Sequence, residues 1–373
     1  MDWNGDTMNH LAQLQQWLAD QNLDVAYISN PTNVAYFSGY FSDPEERVQA
    51  LLVFPDTEPF YFGPQLSVEA VKKTGWTYGD YGYLDHEEPF AKIATQIKAR
   101  CADPKRWAIE KDDLPYGRYE FILNQFPDAT FPGDASRFIE KAKLVKTPDE
   151  IAIMIEAGKE ADFAFEVGFN ALKTGRTEQE VVAEIEYALM KKGVMHMSFD
   201  TIVQAGVNAA DPHGGPTTAK VQPNELVLFD LGTVHNAYMS DATRTVAFGK
   251  PDAKSLEIHK VCLEANLTAQ AAVKPGIKAS ELDKIARDII TKAGYGEYFI
   301  HRLGHGIGTS THEFPSIMEG NDMLLEPGMC FSIEPGIYIP GVAGVRIEDC
   351  IHVTENGCEP FTHTPKNLLT FND

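Results

Sequence analysis

The chain is short of cysteine, of basic residues and of long apolar runs, and each shortage excludes something. Only five cysteines occur. Cys101, Cys262, Cys330, Cys350 and Cys358 form an odd, scattered set with no Cys-x-x-Cys pair, so a zinc ribbon or redox motif is unsupported and reduced thiols are expected. Lysine and arginine total 32 against 54 aspartates and glutamates, a net charge of −22. Nucleic acid is not an expected partner, because phosphate binding needs concentrated Lys and Arg. No apolar run approaches the ~18–20 residues of a membrane span. The opening residues have neither a basic segment nor an apolar signal core, so a cytoplasmic protein without membrane contact is expected.

What remains is an ordinary globular composition, and 373 residues suggest two domains. The first part reads as alternating helices and strands, hence a layered α/β domain. His10 to Asn22 is amphipathic, with Leu11, Leu14, Trp17 and Leu18 on one stripe. Residues 24–29 and 50–54 are short apolar runs punctuated by Asn-Pro and Pro-Asp, as buried strands are. Between them, residues 36–47 are too polar for core and too aromatic for an idle linker. A boundary falls where Pro132-Gly133 breaks the chain, giving domains 1–135 and 136–373. Thr147, Pro148 and Glu150 then predict a capped helix start.

The second domain repeats itself. Gly175 and Gly276 are 101 residues apart, as are Gly193 and Gly294, Glu180 and Glu281, and Leu189 and Ile290. Each copy reads as a turn, a helix and a glycine C-cap. Two related halves facing a central cleft are expected, and such clefts hold sites.

After each repeat comes a hairpin rich in carboxylates. In the first, a turn centred on His235-Asn236 would set Asp230 opposite Asp241, with Thr243 and Thr245 on the Asp241 face. In the second, Glu334 and Glu348 are symmetric about Gly341. Ser332 shares the Glu334 face, and Arg346 shares that of Glu348 and braces it. Carboxylates this close repel unless something positive lies between them. His305, between two glycines in Gly-His-Gly-Ile-Gly, is a fifth donor. One Asp in a hairpin is usually solvated and one buried His usually structural, but five at matching positions form a hard, oxygen-rich set. Such a set suits two divalent ions, Mn²⁺ before Co²⁺ or Zn²⁺, and four carboxylates balance two such charges.

At these residues the chain resembles the pita-bread metallopeptidases: methionine aminopeptidase, aminopeptidase P and prolidase. The family's five metal ligands match Asp230 in Phe-Asp-Leu-Gly, Asp241 in Ser-Asp-Ala-Thr-Arg-Thr, His305, Glu334 in Ile-Glu-Pro-Gly and Glu348 in Arg-Ile-Glu-Asp. The resemblance implies an α+β chain, with a C-terminal pita-bread domain behind an N-terminal α/β creatinase-like domain that serves dimerisation and supplies a substrate loop. It implies a homodimer that hydrolyses Xaa-Pro dipeptides through a metal-bridging hydroxide. An aminopeptidase P acting on longer Xaa-Pro peptides, or a related small-molecule C–N hydrolase, is the alternative. His213 and His312 match histidines that bind substrate and stabilise the oxyanion or leaving nitrogen, and Glu334 doubles as proton carrier. His301 and Tyr338 would touch substrate, and Thr243 would hold a ligand in position. A dipeptidase must also grip a free carboxylate, for which Arg302 and Arg47, the latter in the 36–47 loop, are the arginine forks on offer.

Overall fold

The computed structural model describes residues 4–373, with side chains from Asn9 onward. The chain forms two compact units that divide between Ala142 and Lys143. No helix among the described residues is long and apolar enough to cross a membrane.

The first unit is a six-stranded mixed sheet with spatial order Gly79–Tyr83, Phe60–Pro64, Ala50–Val53, Val25–Ile28, Arg106–Ile109 and Thr130–Asp134. Alternate side chains leave opposite faces of a strand. Val25, Tyr27 and Leu52 therefore join one core cluster with Trp107 and Phe60, while Ala26, Ile28 and Leu51 join another with Leu14 and Phe37. Helices cover both faces, so the central strands read as unbroken apolar runs.

Two sequence expectations change here. Tyr36 and Phe37 do not belong to a polar loop. They end the helix Pro31–Ser38, are 2% and 1% exposed, and pack in the second cluster. Asn30 caps that helix by accepting from the Thr32 and Asn33 amides, and Gly39 closes it at φ 73°. The exposed loop is confined to residues after it. The division at 135/136 also shifts: the helix Ala135–Ala142 packs into the first unit through Ala135 and Ile139.

In the second unit the helix Pro148–Asn170 starts at a complete capping box between Thr147 and Glu150. The helices Glu178–Lys191 and Ala279–Lys292 occupy the two copies of the repeat. Its nine-stranded sheet runs Glu313–Ile317, Gly304–Gly306, Cys330–Ile333, Glu348–Val353, Ala242–Phe248, Glu225–Leu231 and Ile202–Ala205 along its main path. Reading outward from the central Asp241/Glu348 strand pair, each side meets the strand of its own hairpin partner and then a short strand. The repeat in sequence is a repeat in space.

Register decides which side chains converge. The strand Glu225–Leu231 pairs with Ala242–Phe248 so that Asp230 faces Thr243, not Asp241. The turn is centred one position later than expected, on Asn236-Ala237, both in the left-handed region at φ 44° and 64°. Recentring by one residue moves partners by two, and a shift of two preserves the face. Asp230 and Asp241 therefore still point the same way, one step apart along the ladder. The second hairpin keeps the expected centre at Gly341, with Ile333 facing Asp349 and Gly336 facing Arg346. Between those pairs the ladder opens around Pro335. Asn266, in the helix Ala253–Ala272, fills the gap by donating to the Ile333 and Ile347 carbonyls, each at 2.9 Å.

Behind the Glu348 strand lies the chain's last segment. Buried Arg244 and Lys366 both pair with Asp349, while Thr362 donates to the same carboxylate at 2.6 Å. Thr370-Phe371 adds a short parallel strand beside Ala247-Phe248.

Candidate metal centre

Asp230, Asp241, His305 and Glu348 are buried on one face of the sheet, and Glu334 lies against them. Asp241, His305 and Glu348 each present a ligand atom within 4.8 Å of the others. His305 Nε2 lies 3.3 Å from Glu334 Oε1 and 3.5 Å from Asp241 Oδ2. Its Nδ1 faces the Gly306 carbonyl at 3.1 Å, which leaves Nε2 as the nitrogen turned to the carboxylates. The flanking glycines are a packing requirement. A Cβ on Gly304 would lie 1.8 Å from the Ser332 carbonyl, and one on Gly306 2.0 Å from that of Phe314.

Neighbouring polar groups fix three of the four carboxylates, Glu334, Glu348 and Asp230. Ser332 donates to Glu334 Oε1 and accepts from the His305 amide, both at 3.0 Å. Thr243 donates to Glu348 Oε2 at 2.6 Å and accepts from Arg346 Nε at 3.0 Å. Arg346 does not brace Glu348 directly, as the sequence suggested. Its guanidinium reaches across the strands to an ion pair with Asp230, and also donates to the Tyr338 hydroxyl at 2.8 Å. The strand alternation put it on the right face, but its length carries it past its neighbour.

The electrostatics show a centre short of positive charge. Burial, then the charges of Glu348 and Asp230, push the Asp241 carboxyl well above its ordinary value. Burial, then Glu334 and Asp230, do the same to Glu348, and burial chiefly lifts Glu334 to about 7. His305 falls to about 3 through burial and the neighbouring His312, so it is a neutral donor. Asp230 Oδ1, Asp241 Oδ1 and Glu348 Oε1 are buried without a hydrogen-bond partner among the described residues. Orphaned anionic oxygens of this kind cost several kcal/mol each unless a cation meets them. The donors present fit divalent ions: hard oxygens and one imidazole, each with a free lone pair toward a common space.

The other expected residues divide between the units. The His312 ring packs edge-on to His305 at 4.2 Å. Its pKa is depressed by burial and by the charges of Arg302 and His213. His301 is held between the Arg302 carbonyl at 2.7 Å and the Tyr338 hydroxyl at 3.0 Å, and burial lowers its pKa to about 4. Arg302 donates to Ser316 Oγ at 3.0 Å, and its charge is felt at Glu334 and His305. His213 sits on an exposed loop whose charge reaches both His301 and His312. Arg47, in the first unit, pairs with Asp85 at 3.0 Å and Glu46 at 3.4 Å on an open surface.

Several buried charges near these histidines were not singled out from sequence. Glu313, next to His312, pairs with Lys146 at 3.1 Å. Asp283 accepts two bonds from Arg287 and one from the Leu303 amide, and Arg287 also donates to the His301 carbonyl. Glu178 binds backbone on both sides of His213. Only adjacency marked Glu313; the others lie 14 or more residues from the histidine they serve, with no motif to link them.

Comparison with known proteins agrees with this geometry. Residues 152–355 match metallopeptidase family M24, and residues 10–145 match the creatinase/prolidase N-terminal domain. The chain is 59% identical over 360 residues to the Xaa-Pro dipeptidase of Lactobacillus helveticus, covering 96% of this chain and 98% of that one. Among solved structures it resembles an Xaa-Pro dipeptidase from Bacillus anthracis, with TM-score 0.90 and 34% identity over 98% of this chain and 100% of that one. It also resembles the prolidase of Pyrococcus horikoshii OT3, with TM-score 0.89 and 33% identity over 97% and 100%. An α+β chain that carries a pita-bread domain behind a creatinase-type N-terminal domain, it belongs to the M24 metallopeptidases.

Proposed function

We propose that the chain is an Xaa-Pro dipeptidase that holds two divalent ions, Mn²⁺ by preference, and works as a cytoplasmic homodimer. Asp230, Asp241, His305, Glu334 and Glu348 would hold the ions. The observation that carries this reading is the set of three partnerless carboxylate oxygens buried around one neutral imidazole. When bound, such a pair of ions acidifies a water molecule and polarises the scissile carbonyl.

The chain's own residues do the rest. Arg346 and Thr243 hold Asp230 and Glu348 in fixed rotamers, so the donors are oriented before any ion arrives. Glu334, placed among the ligands, would take up and hand on the proton that the attacking water gives up. His213 and His312 supply donors for the developing oxyanion and for the departing proline nitrogen. His301 and Tyr338, bonded to one another, line the substrate side. Arg302 grips the dipeptide's free carboxylate. The first unit would serve dimerisation, and its loop bearing Arg47 would reach the active site of the partner subunit. The similarity to Xaa-Pro dipeptidases along the whole chain supports the dipeptide over a longer substrate.

Turnover of Leu-Pro and of a Leu-Pro-initiated tripeptide, with Mn²⁺ and after chelation, tests the reading. Preference for Leu-Pro and loss on chelation are expected. Preference for the tripeptide assigns an aminopeptidase P, and turnover undiminished by chelation removes the metal reading altogether.

A further inference from the structure

We propose that Glu178 is a positioning residue for His213, acting as a buried clasp that closes the base of the loop on which this histidine stands. Glu178 opens the first turn of the helix Glu178–Lys191 and is 0% exposed. An acidic residue there ordinarily faces solvent and interacts only with its own helix end. This one has no cation partner among the described residues and instead accepts four hydrogen bonds from outside its helix. Oε1 takes the Ala205 amide at 2.8 Å and Asn208 Nδ2 at 3.0 Å. Oε2 takes the Thr217 amide at 2.8 Å and the Thr217 hydroxyl at 2.7 Å. One oxygen therefore holds the chain as it enters the loop and the other as it leaves.

Between these anchors the 3-10 turn Gly206–Ala210 is packed, with Ala209 buried and its carbonyl close against Gly344, but residues 211–216 are lightly held. His213 is exposed, and its amide bonds only the local Asp211 side chain at 3.2 Å. Gln204 adds a cross-tie to the Asp211 carbonyl at 3.0 Å. The Pro216 and Thr217 carbonyls are tied back to Gln179, again at the start of the same helix. A histidine that must meet a peptide on such a loop depends on the width of the base, which Glu178 sets with charge-assisted bonds. No metal donor touches Glu178, so its effect is separable from metal binding.

The proposal rests on the reading of His213 as a substrate-contacting group. It is tested with Mn²⁺-loaded full-length protein: Glu178→Gln, His213→Ala and the double variant, each assayed for kcat and KM on Leu-Pro and for Mn²⁺ binding. Glutamine keeps the size but places an amino group against a donor. The expected result is a fall of about 10- to 100-fold in kcat/KM, unchanged Mn²⁺ affinity, and under twofold further loss when Glu178→Gln is added to His213→Ala. Such non-additivity marks residues acting through one another. Wild-type kinetics for Glu178→Gln, a loss that multiplies fully with that of His213→Ala, or weakened Mn²⁺ binding would overturn it. Wild-type activity of His213→Ala alone would remove the reading beneath it, and is recognised because Glu178→Gln then has nothing to act through. Should Glu178→Gln fail to fold, Thr217→Val removes the hydroxyl that donates to Glu178 and accepts from Asn208 and the Ala219 amide, while the Thr217 amide keeps its own bond to Glu178. Faster amide exchange across residues 206–216 with the same non-additive loss supports the clasp, and unchanged exchange and turnover refute it.

Discussion

Removing Glu334, one of the proposed metal ligands, should stabilise the metal-free protein, and the gain should depend on pH in a defined direction. Glu334 is buried among Asp230, Asp241 and Glu348, and its carboxyl is lifted from 4.5 to about 7. At roughly 1.4 kcal/mol per pH unit, ionising it in the folded state costs about 3 kcal/mol more than in the unfolded chain. Because the folded value is the higher one, the stability contributed by the protonated form is fully present below pH 4.5. It is lost as pH rises from there to about 7, and the deficit is constant above. Glu334→Gln cannot ionise and escapes this loss. His301 and His305, whose pKa values are lowered to about 4 and 3, titrate on the acid side in both proteins and cancel in the difference. After exhaustive chelation, thermal unfolding at pH 8 should therefore place Glu334→Gln about 6–12 °C above wild type, for a unit of this size. The gap should close toward pH 4.5. Saturating Mn²⁺ should reverse the order, because the wild-type site gains ligand binding energy that the variant forgoes. A chelated variant no more stable than wild type at pH 8, or an advantage that ignores pH, would refute the picture of crowded, uncompensated carboxylates.

Other expectations follow from the same contacts. Asp230→Ala should abolish Leu-Pro turnover and lower the Mn²⁺ content, measured by elemental analysis, because it removes a donor and strands Arg346. Arg302→Ala should chiefly raise KM for dipeptides with metal content unchanged, which steady-state kinetics will show; an equal fall in kcat would assign it a different role. Asp349→Ala leaves the buried Arg244 and the half-buried Lys366 facing no carboxylate, and should lower stability by about 3 kcal/mol in denaturant titration. Arg47→Ala removes only exposed ion pairs, so its melting temperature should equal that of wild type, and any effect should be confined to KM.

The parts of this site that sequence reveals are those fixed by local periodicity. Glu334 and Glu348 sit symmetrically about Gly341 because a Pro-Gly turn marks the common centre of two ladder segments in one register. The first hairpin carries no such mark. Ala237 at φ 64° is not a residue that announces a left-handed position, and the centre is displaced by one. The convergence of Asp230 and Asp241 survives because strand parity, not exact pairing, decides the face. Aromatic density misleads at Tyr36 and Phe37, where a short capped helix delivers to the core what reads as a loop. Least legible are the long-range ionic contacts. Lys146 and Glu313 are 167 residues apart, and Arg346 finds Asp230 only after the fold has brought separate hairpins together. No local pattern encodes a partner chosen by tertiary packing.

The segment that follows Phe361 has a consequence out of proportion to its length. Thr362 and Lys366 seal the reverse side of the strand that begins with Glu348-Asp349, and Arg244 reaches the Thr364 carbonyl at 2.9 Å. A proteolytic nick or a mobile fusion placed there would let water flood in beneath Asp349 and loosen Glu348 from behind. The peptidase would then lose its grip on the ions through damage to a stretch of chain that touches neither ion nor peptide.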